Sequence, residues 1–417
     1  MFCKNVYYSV GVLFVFGEIL WLFIFERNNN GLIKHALPKP VKSNEAIQQH
    51  LTSEPYESKF TSHVSRYQLK NVPVHSQRQI VLIIAYHRTG STLTGSLFQE
   101  YTGTFYVFEP LRNVARKFRD LQESNGTYTT MHYMYKKKRN YAISSKQQVV
   151  SDEINNWLTC KLGELSITSL TNGFHRRYTT IMKNFDKCNK ELKKQNHLKT
   201  KVVEKCIKTA EGFCEKAPLI VLKFIRLEMK EVVNMLPFYP NMKIIHLVRD
   251  PRGILNSRLR LKVVVPSTYQ KNVLGHCKLV EDNLRHSKRI FQRYPNRLKI
   301  INYEDIAENP LETSRVLLQF AGLTFTKLMQ DFIRTQTSST VNSCHYCTKR
   351  KNSKATARKW LNELNQSYAK YIYDTCKASN MVLGYLPLPD FNTGRDKGAY
   401  FRQRVSVYKE LLKNENF

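Results

Sequence analysis

The amino-acid sequence predicts an α/β protein organised around a central parallel sheet, and three observations predict it. Residues 80–85 (IVLIIA), 219–225 (LIVLKFI) and 244–248 (IIHLV) are nearly unbroken apolar runs, the pattern of strands covered on both faces. Each run is followed by helical spacing of apolar residues, and strand alternating with helix is what a parallel sheet with crossover connections requires. The first run opens into His87-Arg88-Thr89-Gly90 and then a segment with helical spacing at Leu93, Leu97 and Phe98, so a glycine-containing turn joins strand to helix.

Taken in chain order, the residues before this unit read differently. Residues 6–25 carry one charge, Glu18, in a stretch as long as a helix that crosses a bilayer. A cleaved signal peptide has a shorter apolar region ending in small residues, unlike Trp21-Leu22-Phe23-Ile24-Phe25. The expectation is a signal-anchor at 6–25 behind a short cytoplasmic tail at 1–5; Lys4 on one side and Arg27 with Lys34 on the other do not choose its orientation. Residues 26–77, with Asn28-Asn29-Asn30-Gly31, Pro38 and Pro40, lack hydrophobic periodicity and read as a stem. The folded domain spans 78–390. Within it, Phe105-Tyr106-Val107-Phe108 delivers Glu109 to a strand or loop end. A long insertion follows, in which residues 183–208 hold nine Lys against Asp186, Glu191 and Glu204, the composition of a solvated helical face. Residues 298–303 (LKIINY) supply a fourth strand, 311–322 a helix ending at Gly322, and 391–417 a C-terminal tail.

Composition narrows the partners. A hydrophobic fraction of 42% with 23 Tyr and 22 Phe excludes wholesale disorder in a chain of 417 residues. The formal charge of +33 attracts polyanions, yet the cationic residues are spread from Arg66 to Lys413 with no nucleic-acid module, so no nucleic-acid partner is expected. Eight cysteines, Cys160, Cys188, Cys206, Cys214, Cys277, Cys344, Cys347 and Cys376, lie beyond the anchor, an even number that suits disulfides in a lumen and leaves their connectivity open. Cys344-His345-Tyr346-Cys347 has the spacing of half a zinc site, but no second such pair completes it and no metal is expected. The sequons at Asn125 and Asn365 are usable in the same compartment. A homo-oligomer is compatible with the sequence.

The loop at 88–92 (RTGST) carries the chemistry. Backbone N–H groups and a helix N-terminus directed at one point bind an anion, and Arg88, Ser91 and Thr92 add a charged fork and two hydroxyls. The same residues also suit an ordinary capped turn. A nucleoside triphosphatase loop has the form GxxxxGK[ST]; here Ala85 occupies the first glycine position and Ser91 the lysine position, which weakens a kinase reading. A second candidate anion site follows the 244–248 strand: Arg249-Asp250-Pro251-Arg252 starts a helix, with Ser257 and Arg258 further along. Two anion sites imply a doubly phosphorylated donor.

With these segments in view, the sequence resembles the Golgi carbohydrate sulfotransferases, especially the galactose, N-acetylgalactosamine and N-acetylglucosamine 6-O-sulfotransferases. The resemblance spans about 79–388 and rests on HRTGSTLTGSLFQ, FYVFEPL, LKFIRL, IIHLVRDPRGILNSRL, YEDIAENPLE, TARKW and LGYLPL in that order. It implies a P-loop-kinase-like sulfotransferase fold, 3′-phosphoadenosine 5′-phosphosulfate (PAPS) as donor, a glycan acceptor, and a type II Golgi membrane protein with its catalytic domain in the lumen. By motif, His87, Arg88, Thr89, Gly90, Ser91, Thr92 and Leu93 would hold the 5′-phosphosulfate. Arg249, Asp250, Pro251, Arg252, Gly253, Ile254, Leu255, Asn256 and Ser257 would hold the 3′-phosphate. Arg88, where many members carry Lys, is the expected stabiliser of the leaving phosphate. Glu109 is the expected base, with an ion pair to Arg112 or Arg116 as its structural alternative. Arg350-Lys351-Asn352-Ser353 reads either as a donor-binding loop or as an exposed basic turn.

Overall fold

The computed structural model describes residues 78–388 and 401–417, apart from 135–136, 172, 175–177, 195–198, 343–346 and 416. The anchor and stem expected at 1–77 lie outside the described residues, as do Cys344 and His345. No helix among the described residues is long and apolar enough to cross a membrane.

Five strands form the expected parallel sheet, in the spatial order Phe105–Phe108, Leu219–Phe224, Gln79–Ala85, Met242–Val248, Leu298–Asn302. In chain order, β1 (Gln79–Ala85) leads into α1 (Ser91–Gln99) and the edge strand β2 (Phe105–Phe108). A separate antiparallel pair, β3 (Thr129–His132) and β4 (Lys138–Tyr141), precedes a helical insertion containing α2 (Thr180–Lys194) and α3 (Lys199–Lys216). Then come β5 (Leu219–Phe224), β6 (Met242–Val248), α4 (Pro251–Arg260), the long α5 (Tyr269–Arg293), β7 (Leu298–Asn302), α6 (Tyr303–Glu308), α7 (Ser353–Arg358) and α8 (Val407–Lys413).

The unbroken apolar runs are explained by burial on both faces. In β1, Leu82 and Ile84 join one core with Trp157, Leu222 and Ile244, while Val81, Ile83 and Ala85 join the other with Leu97, Phe98 and Ile245. Each fully buried aliphatic side chain in such a strand contributes on the order of 2 kcal/mol. β2 is a strand of four residues, too short for periodicity to announce, and its register against β5 sets Phe108 opposite Lys223. Tyr303, placed at the end of the fourth strand by sequence, instead begins α6.

The basic insertion folds as a helical hairpin, closed by a Cys188–Cys206 disulfide. Cys160–Cys214 and Cys277–Cys376 are also bonded, and Cys347 is disulfide-bonded as well. Residues 401–417, assigned to a tail on sequence, pack onto the domain: Phe401 and Leu411 are buried. Leu386 N–H donates to Phe401 O at 2.8 Å and Gln403 N–H to Gly384 O at 2.8 Å.

Candidate active site

A parallel sheet leaves a crevice at the carboxyl ends of its strands, where successive loops diverge to the two faces. Here residues following β1, β2, β5, β6 and β7 all border one cavity of about 640 Å³. Its lining includes Arg88, Arg112, Lys223, Arg226, Arg249, Arg260, Arg350 and Lys359 against, among the described residues, a single carboxylate, Glu109. That imbalance in a recessed site favours a polyanion.

The loop after β1 is built by exchange of backbone bonds. Thr89 is fully buried, its hydroxyl donating to Tyr86 O at 2.8 Å. This tight turn puts Arg88 at φ 79° and Gly90 at φ 79°. A Cβ on Gly90 would overlap the Tyr303 ring, so the glycine answers both to conformation and to space. His87, Arg88, Gly90, Ser91, Thr92 and Leu93 line the cavity. Burial, with Arg258 and Arg88 adding to it, pushes the His87 pKa down to about 4, so its imidazole is neutral at neutral pH.

The second anion segment is bonded directly to the first. Arg88 Nε donates to Ser257 Oγ at 2.9 Å, Arg249 Nη1 donates to Arg88 O at 2.8 Å, and Arg258 Nη2 donates to His87 O at 3.3 Å. Arg249 also lies over the Tyr303 ring, 4.4 Å from its centroid, and a Cβ at Gly253 would come within 3.1 Å of Arg249 Nε. The Nε groups of Arg249 and Arg258 are buried without a hydrogen-bond partner among the described residues, and at Arg249, which borders the cavity, a bound anion would relieve that costly state. Burial lowers the Arg258 pKa to about 10, which leaves it charged at neutral pH. Of this segment, Arg249, Gly253, Asn256 and Ser257 border the cavity.

The remaining residues of the two segments support the site from behind. Asp250 caps α4 and pairs with Arg252 in full burial, Oδ2 to Nη2 at 2.8 Å, and Arg252 donates to Leu386 O at 2.9 Å. Pro251 is buried in the first turn, and Ile254 and Leu255 belong to an apolar cluster with Trp360, Cys277, Cys376 and Phe401. Their side chains pack or cap.

Glu109 lies across the cavity, just after β2, at φ 51°. Its ion-pair partners differ from those expected from sequence. Lys223 Nζ donates to Oε1 at 2.9 Å and Arg226 Nη1 donates to Oε2, whereas Arg112 stacks over the Phe174 ring at 3.6 Å. The reason is register: β2 and β5 set Phe108 beside Lys223, and Glu109 N–H donates to Lys223 O at 2.8 Å. Burial alone would raise the Glu109 pKa; Lys223 and Arg226 outweigh it and hold the carboxyl below its ordinary value. Lys223 and Arg226 went unassigned in the sequence. Their signal was a charge inside an apolar run, since a buried lysine requires a partner. Arg350 and Ser353 border the cavity while Lys351 and Asn352 are exposed, so that turn is half site and half surface.

This chain is similar in sequence to curated proteins of one kind. Carbohydrate sulfotransferase 3 of Mus musculus is 25% identical over 362 residues, covering 80% of this chain and 72% of its own. Carbohydrate sulfotransferase 5 of Homo sapiens is 25% identical over 349 residues, covering 76% and 80%. Among solved structures, the sulfotransferase domain from the Synechococcus PCC 7002 olefin synthase aligns with 76% of this chain and 99% of its own at 16% identity, with a TM-score of 0.39. Residues 81–327, more than half of the chain and including both candidate anion segments and Glu109, match the sulfotransferase family model, and the protein belongs to the sulfotransferase family.

Proposed function

We propose that this protein transfers a sulfuryl group from PAPS to a glycan hydroxyl, the 6-hydroxyl of galactose, N-acetylgalactosamine or N-acetylglucosamine. The observation that carries the reading is the hydrogen-bonded union of the two anion segments opposite a buried, cation-held carboxylate. The relatives named as carbohydrate sulfotransferases support the sugar acceptor. PAPS supplies an activated sulfuryl group on a phosphate leaving group. Residues 87–93 bind the phosphosulfate, and Arg249 with Ser257 binds the 3′-phosphate. Arg88 neutralises charge that develops on the leaving phosphate, in a site already organised by its bond to Ser257. Glu109 accepts the proton of the attacking hydroxyl: each oxygen keeps a lone pair beyond the one given to Lys223 or Arg226.

The test is transfer of label from PAPS to defined galactose, N-acetylgalactosamine and N-acetylglucosamine acceptors, with the product linkage mapped. Absence of label on every acceptor rejects the activity, and linkage at another position rejects 6-O specificity. We place the catalytic domain, 78–390, in the Golgi lumen behind the 6–25 anchor, a reading supported by disulfides that need an oxidising compartment. Protease protection of the domain in sealed Golgi vesicles tests that topology; digestion without detergent rejects it.

A further inference from the structure

The C-terminal segment reaches the donor wall from behind. Tyr385 and Arg402 form an antiparallel bridge, and from it Arg402 extends to α6: Nη1 lies 2.8 Å from Asp305 Oδ1 and Nη2 2.8 Å from Glu308 Oε2. The Arg402 side chain is only 9% exposed, so these pairs are far less screened than ordinary surface ones. Glu308 holds Arg358 with its other oxygen at 2.9 Å, and Arg252 donates to Phe401 O at 3.3 Å. Two adjacent residues, Phe401 and Arg402, thus touch both α6 and the Asp250–Arg252 turn. Neither lies within the 81–327 match to the family model.

What α6 carries gives these contacts their meaning. Its first residue, Tyr303, walls the phosphate loop at Gly90 and lies under Arg249. A helix of six residues has little stability of its own, so its placement depends on what pins it. We infer that Arg402 is a positioning residue for the donor site: by tying Asp305 and Glu308 to the C-terminal segment, it holds the Tyr303 ring against Gly90 and Arg249. The inference rests on the donor reading above and adds a determinant of donor affinity far from the phosphate loops in sequence.

The experiment measures donor KM, acceptor KM and kcat, with calorimetric binding of adenosine 3′,5′-bisphosphate, in Arg402→Ala, Arg402→Lys and Asp305→Asn. Arg402→Ala raises the donor KM and the bisphosphate Kd on the order of tenfold, as expected when a binding group is misplaced, with acceptor KM and kcat within about twofold. Arg402→Lys recovers part of the loss, and Asp305→Asn moves the donor KM in the same direction by less. Leu411→Ala, in buried contact on α8, is the stability control: it lowers Tm without moving the donor KM. An unchanged donor KM in both Arg402→Lys and Asp305→Asn overturns the inference even if Arg402→Ala does not fold. So does an equal rise in acceptor KM, or an equal donor effect in Leu411→Ala. Wild-type protein that binds no bisphosphate overturns the donor reading and this inference together. Wild-type binding with unchanged affinity in Arg402→Ala overturns the inference alone.

Discussion

Arg88 and Glu109, the two residues given chemical roles, are both held at positive φ, 79° and 51°, a region that costs a non-glycine residue on the order of 1 kcal/mol or more. The surrounding bonds enforce these conformations: Thr89 closes the turn around Arg88, and Lys223 O receives the Glu109 amide. Such enforcement predicts intolerance at Gly90. Gly90→Ala should raise the donor KM by on the order of 100-fold, because a Cβ overlaps the Tyr303 ring and displaces the loop by a fraction of an ångström. Steady-state kinetics with varied donor check this. Glu109→Gln keeps the shape and removes the base, and kcat should fall on the order of 100-fold or more with the donor Kd little changed. A fall of less than about threefold would leave proton transfer to another group. His87 gives a pH signature. Its folded pKa of about 4 lies below the unfolded value of 6.5, so the unfolded chain takes the proton first as pH drops. Stability is therefore complete above about 6.5 and erodes toward about 4, and His87→Asn should flatten the Tm profile over that window. RTGST was legible in sequence because a strand–glycine–helix succession is local. The partners of Glu109 were not, because they depend on which strand lies beside β2.

At the scale of elements, the β6–α4 turn separates what binds from what supports. The RDPR sequence offers two arginines, and the fold separates them: Arg249 borders the cavity with an Nε unpartnered among the described residues, while Arg252 is consumed by Asp250, Leu386 and Phe401. A buried pair broken from one side leaves an uncompensated charge. Arg252→Met should accordingly cost about 3–5 kcal/mol of unfolding free energy. Denaturant titration checks the value, and a loss below about 1 kcal/mol would mean that Asp250 is relieved by water or by protonation. The basic insertion was legible as a solvated helical face. Its closure into a disulfide-bonded hairpin was not, since two-helix contact is invisible to a single helix's periodicity.

Across the whole molecule, the disulfides join regions that the sequence leaves unconnected. Pairing follows from distances between backbones, and eight cysteines carry no such information in their order. Cys277 on α5 meets Cys376 after a separation of 99 residues, enclosing α6 and α7, which together furnish one wall of the cavity. Cys188 and Cys206 are separated by only 18 residues and close a hairpin outside that wall. If the cross-links act mainly by restricting the unfolded chain, the longer one stabilises more, by about 1.5 kcal/mol for these separations. The difference in consequence should be larger than the difference in stability. Cys277→Ser with Cys376→Ser loosens the cluster that contains Ile254, Leu255 and Trp360, so both the unfolding midpoint and donor affinity should fall. Cys188→Ser with Cys206→Ser should lower the midpoint by less and leave donor affinity within about twofold. Parallel denaturation and bisphosphate binding on the two double variants decide it: equal losses of donor affinity would mean that the hairpin, too, supports the cavity.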